Sequence, residues 1–565
     1  MRLVFNGEDV HVMIEELSPS RDNERSLHWY ELAVLFLSCS WLMIVQFVEW
    51  PALTRETFDA WQYDSAVFAL IGKLLREGGT PYLAYWDHKP PLIHFINAAG
   101  LTLSGGQVWG IWIVSAAAWI SAAGIGYIAL RKAFGAMPAL LGIVYFAFGV
   151  HGEHGSNLTE QYALPLQWGA LLVLLNLHRT GFRTNPIVQG LWLGGIATTC
   201  GFLRPNLIGA SVAVWIITTA ALLTKRQVGM WVKFLVGTAA GALIVAIPLV
   251  GYLAMQGSLA AFSDQVVHYN AIYSISNWKL RLRAMFTGLK ISTLYAPLAL
   301  GIAGWLVSIA RLRPSAMTYV KWPVYAMAII WLPIELLFTS ISGRDYGHYF
   351  LPLLVPLSFL TSAFAAELNF HYLEASLPSK SVRYALIVFS LAVAVTLQPI
   401  SDMFWKVRDT GLPRSPSDAT IPVIEYVRAH SGPDDRIFVW GHAAPIYFFS
   451  DRKPATEYVY ILPLLTPAYA DSTIVARFLE DLRRTAPAII IDASPQEDFT
   501  PPLNPWDADW QYPDTRRPQY AYWKAESWYS IPPGMKAFHD FVMKEYQHVA
   551  TIGPLHFPVY QRIKS

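Results

Sequence analysis

Residues Asp59-Ala-Trp-Gln-Tyr-Asp64-Ser-Ala, an amphipathic run, Gly78-Gly-Thr-Pro-Tyr82 and then Tyr85-Trp-Asp-His-Lys89-Pro-Pro-Leu92 follow directly on the first long apolar run of the chain. This stretch is too polar for a lipid-facing helix and too aromatic and proline-stiffened for a disordered linker. Val67, Leu70, Ile71, Leu74 and Leu75 fall on one helical stripe, with Ser65, Lys73, Arg76 and Glu77 opposite. Gly78-Gly79 would end that helix as a C-cap, and the helix is expected to lie along a membrane surface. Asp64 stands at its start, where it reads either as a helix N-cap or as a general base held on a rigid element. Lys89 precedes two prolines that lock the backbone. It reads either as a lysine snorkelling to the interface or as a fixed ammonium suited to a phosphate oxygen.

Outward from this stretch, the chain is apolar. Of 565 residues, 54% are hydrophobic and 15% charged, and the mean hydropathy is +0.34. Soluble domains carry about a quarter charged residues, so the composition is that of an integral membrane protein with a soluble portion. A net charge of +2 and the lack of a basic tract argue against a nucleic-acid partner. Cys39 and Cys200 both lie in apolar runs and read as packing residues. Apolar runs near 29–49, 107–130, 136–151, 161–177, 186–203, 206–223, 231–254, 291–310, 322–340, 349–365 and 383–399 predict about eleven spans of about 20 residues each. With the N-terminal segment 1–28 cytoplasmic, the short inside loops carry Arg131-Lys132, Arg179/Arg183, Lys225-Arg226, Arg311/Arg313/Lys321 and Lys380/Arg383, as the positive-inside rule requires. The odd count then puts 400–565 outside.

Residues 400–565 change character. Helical spacing at Ile421–His430, Ile474–Arg484 and Lys536–Tyr546 alternates with short apolar strands at Arg436–Trp440 and Ala488–Ile491. His548–Ile552 and His556–Tyr560 form a hairpin pattern across Gly553-Pro554. The predicted fold is therefore mainly α: a polytopic transmembrane helical bundle over 29–399, whose first outer loop is 50–106, with a small C-terminal α/β extracytoplasmic domain. An aromatic, proline-rich insert (Pro501 to Pro533) sits within that domain and suits an acceptor-recognition or lid role.

Further polar groups mark the same outer face. The second outer loop holds His151, Glu153, His154 and Glu160. Glu160 reads as a carboxylate favoured at a helix N-terminus, or together with the other three as a holder of a divalent ion, although the spacing matches no dedicated metal motif. Asn157-Leu-Thr159 is formally an acceptor sequon. A later turn, Ser342-Gly-Arg344-Asp-Tyr-Gly-His348-Tyr349, sets two cationic donors four residues apart where a lipid head group would sit. Arg204, between two hydrophobic runs, needs a partner. Tyr269, within the loop 262–290, is placed to line the same cavity.

The run Tyr63-Asp64-Ser-Ala…Pro81-Tyr82…Trp86-Asp87-His88-Lys89-Pro90-Pro91 resembles the first periplasmic loop of GT-C superfamily glycosyltransferases. The resemblance is to bacterial relatives of the protein O-mannosyltransferases and the lipid A aminoarabinose transferase. Asn157-Leu-Thr-Glu160-Gln-Tyr, Ser342-Gly-Arg344-Asp-Tyr-Gly-His348-Tyr349 and Trp440-Gly441…Arg452-Lys-Pro-Ala are similar to later motifs of the group. The resemblance implies a GT-C bundle in a bacterial inner membrane and a polyprenyl-phosphate-linked sugar donor. The implied acceptor is an envelope glycan, lipid or protein. It also implies that Asp64 is the catalytic base and that Lys89, Arg344, His348 and Arg204 contact the lipid phosphate. Glu160 would be the second-loop acid, while Tyr63, Trp86, Asp87, His88, Tyr269 and Tyr349 would line the cavity or meet the acceptor. Asp64 is flanked by Tyr63 and Ser65 where many members place a second acidic residue, and a divalent metal is left open. The alternative function is a non-catalytic transporter or flippase of lipid-linked sugars. Clustering of the ionisable groups at one face, rather than mid-membrane, favours the enzyme.

Overall fold

The computed structural model describes residues 27–49, 63–150, 157–179, 184–274, 278–295, 298–312, 322–371, 380–410, 420–466, 468–496, 500, 502–503 and 534–563. Each of the apolar runs predicted to span is built around helix in its described residues. Among the described residues, seven helices are long and apolar enough to cross a bilayer: Trp29–Val48, Trp109–Phe134, Pro186–Leu203, Val228–Met255, Trp322–Ser340, Gly347–Leu368 and Tyr384–Arg408. Ala136–Gly149, Gly209–Thr224 and Leu298–Arg311 are shorter apolar helices. The helix Thr159–Arg179 is different. It carries Glu160, Gln161 and Gln167, all buried, because it runs through the interior of the bundle rather than along its lipid face. The pair Pro186–Leu203 and Val228–Met255 packs backbone to backbone: a Cβ on Gly190 would fall 2.2 Å from the Phe234 carbonyl oxygen, and one on Gly237 2.1 Å from that of Ile187. Small residues four apart on both helices permit this approach.

Three segments read as loops are helical. Leu92–Leu103 is a helix inside what the sequence presents as the first outer loop. Leu259–Phe262 and Tyr269–Tyr273 are α-helical on either side of a π-helical turn at Ser263–His268. Trp278–Tyr295 is also a helix.

The amphipathic stripe at 67–75 does form a helix, Tyr63–Arg76. It ends as expected: Gly78 has φ +90°, its N–H reaches the Leu75 carbonyl at 3.0 Å, and that of Gly79 reaches Leu74 at 2.9 Å, the Schellman pattern. The helix packs against protein over most of its length. Residues 65–72 are buried all round, clasped between Leu92–Leu103 on one side and Ala444–Ser450 of the C-terminal region on the other. A Cβ on Gly72 would come within 2.7 Å of the Asn97 Cβ, so glycine sets how closely the two helices meet. On the polar face Arg76 and Glu77 are exposed, whereas Lys73 meets protein, donating to the Phe448 carbonyl at 3.1 Å and to Asp451 at 2.5 Å.

The C-terminal region holds one five-stranded sheet. Its strands are β1 (Arg436–Trp440), β2 (Lys453–Pro454), β3 (Ile489–Asp492), β4 (Tyr546–Ile552) and β5 (Phe557–Arg562), in the order β2-β1-β3-β5-β4. β1 pairs parallel with β2 and β3, while β5 runs antiparallel to β3 and β4. The four residues of β3 are wholly buried, which is why the parallel part reads as an unbroken apolar run rather than an alternating one. The hairpin and helices appear where the periodicity puts them, whereas the short helix Ala444–Ser450 and strand β2 left no periodic signal. The aromatic side chains of the insert, Trp506 to Tyr529, lie outside the described residues.

Candidate active site

Three side chains from distant parts of the chain converge. Asp64 sits in the first turn of the Tyr63–Arg76 helix, where the dipole favours a carboxylate. Lys89 ends the rigid loop, and His348 comes from the 3₁₀ turn Gly347–Leu353. The Asp64 Oδ2 lies 3.5 Å from Lys89 Nζ and 3.8 Å from His348 Nε2. The Asp64 side chain is 29% exposed against 6% for Lys89, so the carboxylate is the member that opens toward a ligand. Burial alone would push the Asp64 carboxyl up, but the Lys89 ammonium, with neighbouring imidazoles, holds it well below the usual carboxylate range.

The loop that carries Lys89 is held on every side. Tyr82 adopts φ +60°, and its hydroxyl donates to the Lys89 carbonyl at 2.9 Å. The π-helical turn aims Gln265 at this loop: the amide nitrogen donates to the Tyr82 carbonyl at 2.8 Å, and the amide oxygen accepts from the Asp87 N–H at 3.1 Å. Asn270, one helical turn on, donates to the His88 carbonyl at 2.6 Å. A π-turn inserted into a helix is a common way of redirecting a side chain at a functional site.

The C-terminal region closes the other side. The Trp86 indole donates to the Tyr469 hydroxyl at 2.9 Å, and the Tyr469 hydroxyl donates to Asp264 at 2.6 Å. Tyr460 donates to Asp87 Oδ1 at 2.8 Å and meets His88 Nδ1 at 3.1 Å. Asp87 Oδ2 lies 2.7 Å from His94 Nε2, and His88 Nε2 lies 3.3 Å from Lys89 Nζ. The His442 ring stacks on Tyr460 with centroids 4.5 Å apart and planes 7° from parallel, and it feels the charges of Asp64, Asp87 and Lys89. Burial drives His88 down to about 3 and His442 to about 4, so both rings are neutral near pH 7.

A second group stands beside the first. The Glu160 carboxylate pairs with the Arg204 guanidinium and accepts from the Thr159 hydroxyl at 2.8 Å. Arg204 lies 3.6 Å from the centre of the Tyr349 ring, a cation–π contact. Arg204 thus has the partner its setting demanded. Arg344 lies over the Tyr273 ring at 4.5 Å.

Of the residues singled out from sequence, Asp64, Lys89, His348, His88 and Asp87 come together directly, and Glu160, Arg204 and Tyr349 form an adjoining cluster. Trp86 and Tyr269 are buried at 1% and 0% and pack beneath the loop, edge to face at 4.7 Å. The Tyr63 side chain, His151, Glu153 and His154 lie outside the described residues. Among the described residues, no group of three or more His, Cys, Asp or Glu side chains is arranged to hold a metal ion. His442, Tyr460 and Gln265 escaped the sequence reading. The one available signal was a histidine directly after a buried strand that ends in Trp440-Gly441.

Asn157 is wholly buried. It exchanges side-chain hydrogen bonds of 2.8 and 3.0 Å with Asn97, accepts from Tyr162 at 3.0 Å and donates to the Ser65 carbonyl at 3.3 Å. In the folded chain the formal sequon is a joint between the second loop and the Asp64 helix, closed to modification.

No family model matches the chain. Over 340 residues it is 24% identical to the undecaprenyl phosphate-alpha-4-amino-4-deoxy-L-arabinose arabinosyl transferase of Pseudomonas paraeruginosa, and the match covers 56% of this chain and 58% of that protein. The chain thus spans a little over half the length of this curated relative. Its fold is that of ArnT from Cupriavidus metallidurans. The structure of that protein bound to undecaprenyl phosphate superposes with a TM-score of 0.56 at 14% identity, covering 95% of this chain and 98% of the other. The apo structure gives 0.54 at 14% identity, covering 94% and 97%.

Proposed function

We propose that the chain is a glycosyltransferase of the GT-C type in a bacterial inner membrane. It would transfer a sugar from a polyprenyl-phosphate-linked donor to an envelope glycan, lipid or protein on the outer face. The observation that carries this reading is the convergence of a partly open carboxylate, Asp64, with a buried ammonium, Lys89, at 3.5 Å. The likeness to two sugar-transferring or polyprenyl-phosphate-binding proteins supports it.

The chemistry follows from the residue types. An acceptor hydroxyl is a poor nucleophile, so Asp64 takes its proton as the oxygen bonds to the anomeric carbon. General-base help of this kind is worth about 10²–10⁴-fold. The bond from that carbon to the phosphate oxygen breaks, and its electron pair leaves with the polyprenyl phosphate. Lys89 stabilises this growing negative charge most strongly where water is excluded, and His348 and Arg344 are proposed as further donors to the same phosphate. Attack opposite the leaving group inverts the anomeric carbon.

The test has two stages. Mass analysis of cell-envelope glycans with and without the gene identifies the sugar. The purified protein is then given the labelled polyprenyl-phosphate sugar, and release of free polyprenyl phosphate is followed. Release that disappears in Asp64→Asn supports the reading, whereas transport of an intact donor without release would replace it with a flippase.

A further inference from the structure

A hydrogen-bonded chain starts at the Lys89 ammonium and ends on the Asp87 carboxylate, which a second, shorter arm through His94 also reaches. Lys89 Nζ carries only donors, so across its 3.3 Å contact His88 Nε2 must be the acceptor. A neutral His88 then carries its proton on Nδ1 and donates it to the Tyr460 oxygen at 3.1 Å. Tyr460 passes its own proton to Asp87 Oδ1 at 2.8 Å. The other Asp87 oxygen accepts from His94 Nε2–H at 2.7 Å, and His94 Nδ1 lies 3.2 Å from the Tyr85 hydroxyl. Every donor in the series finds an acceptor, and all the side chains are buried. Between Lys89 and Asp87, reversing a link would set two protons, or two lone pairs, against each other. Four of the members come from one short loop, 85–89, and His94 follows it closely. Tyr460 comes from the C-terminal region, 371 residues beyond Lys89 in sequence.

We infer that Tyr460 is a positioning residue for the phosphate-binding ammonium. Through Asp87 it fixes the His88 tautomer whose Nε2 lone pair aims Lys89 at the site, so that donor binding depends on the C-terminal region being docked. Without the Tyr460 oxygen, His88 has no acceptor for Nδ1–H. The competing tautomer would present Nε2–H to an ammonium, and Lys89 would be turned away. The contact is charge-assisted and sequestered from water, the setting in which such bonds count most. The inference rests on the phosphate role proposed for Lys89.

The test measures binding of undecaprenyl phosphate to the purified full-length protein. Lys89→Ala is expected to weaken binding tenfold or more, and Tyr460→Phe about tenfold. In the Lys89→Ala background, Tyr460→Phe is expected to change nothing further. His88→Gln, which offers a carbonyl acceptor without a tautomer choice, should likewise make the protein insensitive to Tyr460→Phe. Tyr546→Phe, which removes a hydrogen bond to the Pro487 carbonyl within the C-terminal region, should leave affinity unchanged. If Lys89→Ala itself has no effect, the phosphate role fails. If Lys89→Ala weakens binding but Tyr460→Phe adds its full loss on top, the positioning role alone fails, and Tyr460 merely packs the interface.

Discussion

The Asp64 carboxylate and the Lys89 ammonium face each other across 3.5 Å, a contact of charge rather than a hydrogen bond. Neither side chain is consumed by the other. On the proposed reading Asp64 keeps its lone pairs for an incoming hydroxyl and Lys89 its donors for an incoming phosphate, while the Lys89 charge favours the ionised form of Asp64.

The first prediction concerns the carboxylate. Asp64→Asn preserves shape and should lower the transfer rate by about 10²-fold or more while leaving the thermal unfolding midpoint in detergent close to that of the parent protein. A variant that turns over at the parent rate would remove Asp64 from the role of base.

The pH dependence has a definite sign. The folded pKa of Asp64 is depressed, so its stabilising contribution is present above the unfolded carboxylate value of about 4 and is lost as pH falls through the lower folded value. The base is therefore ionised across the neutral range, and the acid limb of the kcat/KM profile should lie below about pH 4. In Lys89→Met the largest lowering influence is gone while burial remains, so the limb should move upward. An unshifted limb would mean that another group titrates.

Glu160 and Arg204 test a different kind of contact. Both side chains are buried, so Glu160→Ala leaves a guanidinium desolvated and unpaired, a loss of about 3–5 kcal/mol. The double variant Glu160→Leu with Arg204→Met should recover much of that stability without restoring activity. Denaturation in detergent, scored beside transfer, separates the two effects.

Asn157 combines side-chain bonds with a left-handed backbone, φ +65°. Asn157→Ala and Asn157→Gly both strip the bonds to Asn97, Tyr162 and Ser65. Only alanine also bears the left-handed penalty, about 1–2 kcal/mol, and it should be the less stable of the two by that margin. Equal stabilities would show that the backbone relaxes.

Much of this arrangement is legible in the chain itself. The stripe at 67–75, the paired glycines after it and the prolines after Lys89 announce a helix, its stop and a fixed loop, because each is a local property. The alternation of helical and buried-strand spacing after 420 announces the sheet for the same reason. What stays hidden is long-range. The 12-residue helix Leu92–Leu103 is apolar but too short to read as a span, so it stays within the first loop. Gln265 reaches the loop only because a π-turn redirects it, and no side-chain period records that. Tyr460 and His442 enter the site through docking of the C-terminal region, to which hydropathy is blind. Arg204 announced the need for a partner, and only the folded bundle identifies it as Glu160.

The Tyr63–Arg76 helix has one further consequence. Asp64 and Lys73 are nine residues apart on it, about 13 Å along the axis, so a single stiff rod carries the carboxylate proposed as base at one end and a tether to Phe448 and Asp451 at the other. Swinging the C-terminal region away must either snap that tether or drag the carboxylate out of register. On the proposed reading, undocking the C-terminal region would therefore also disturb the base.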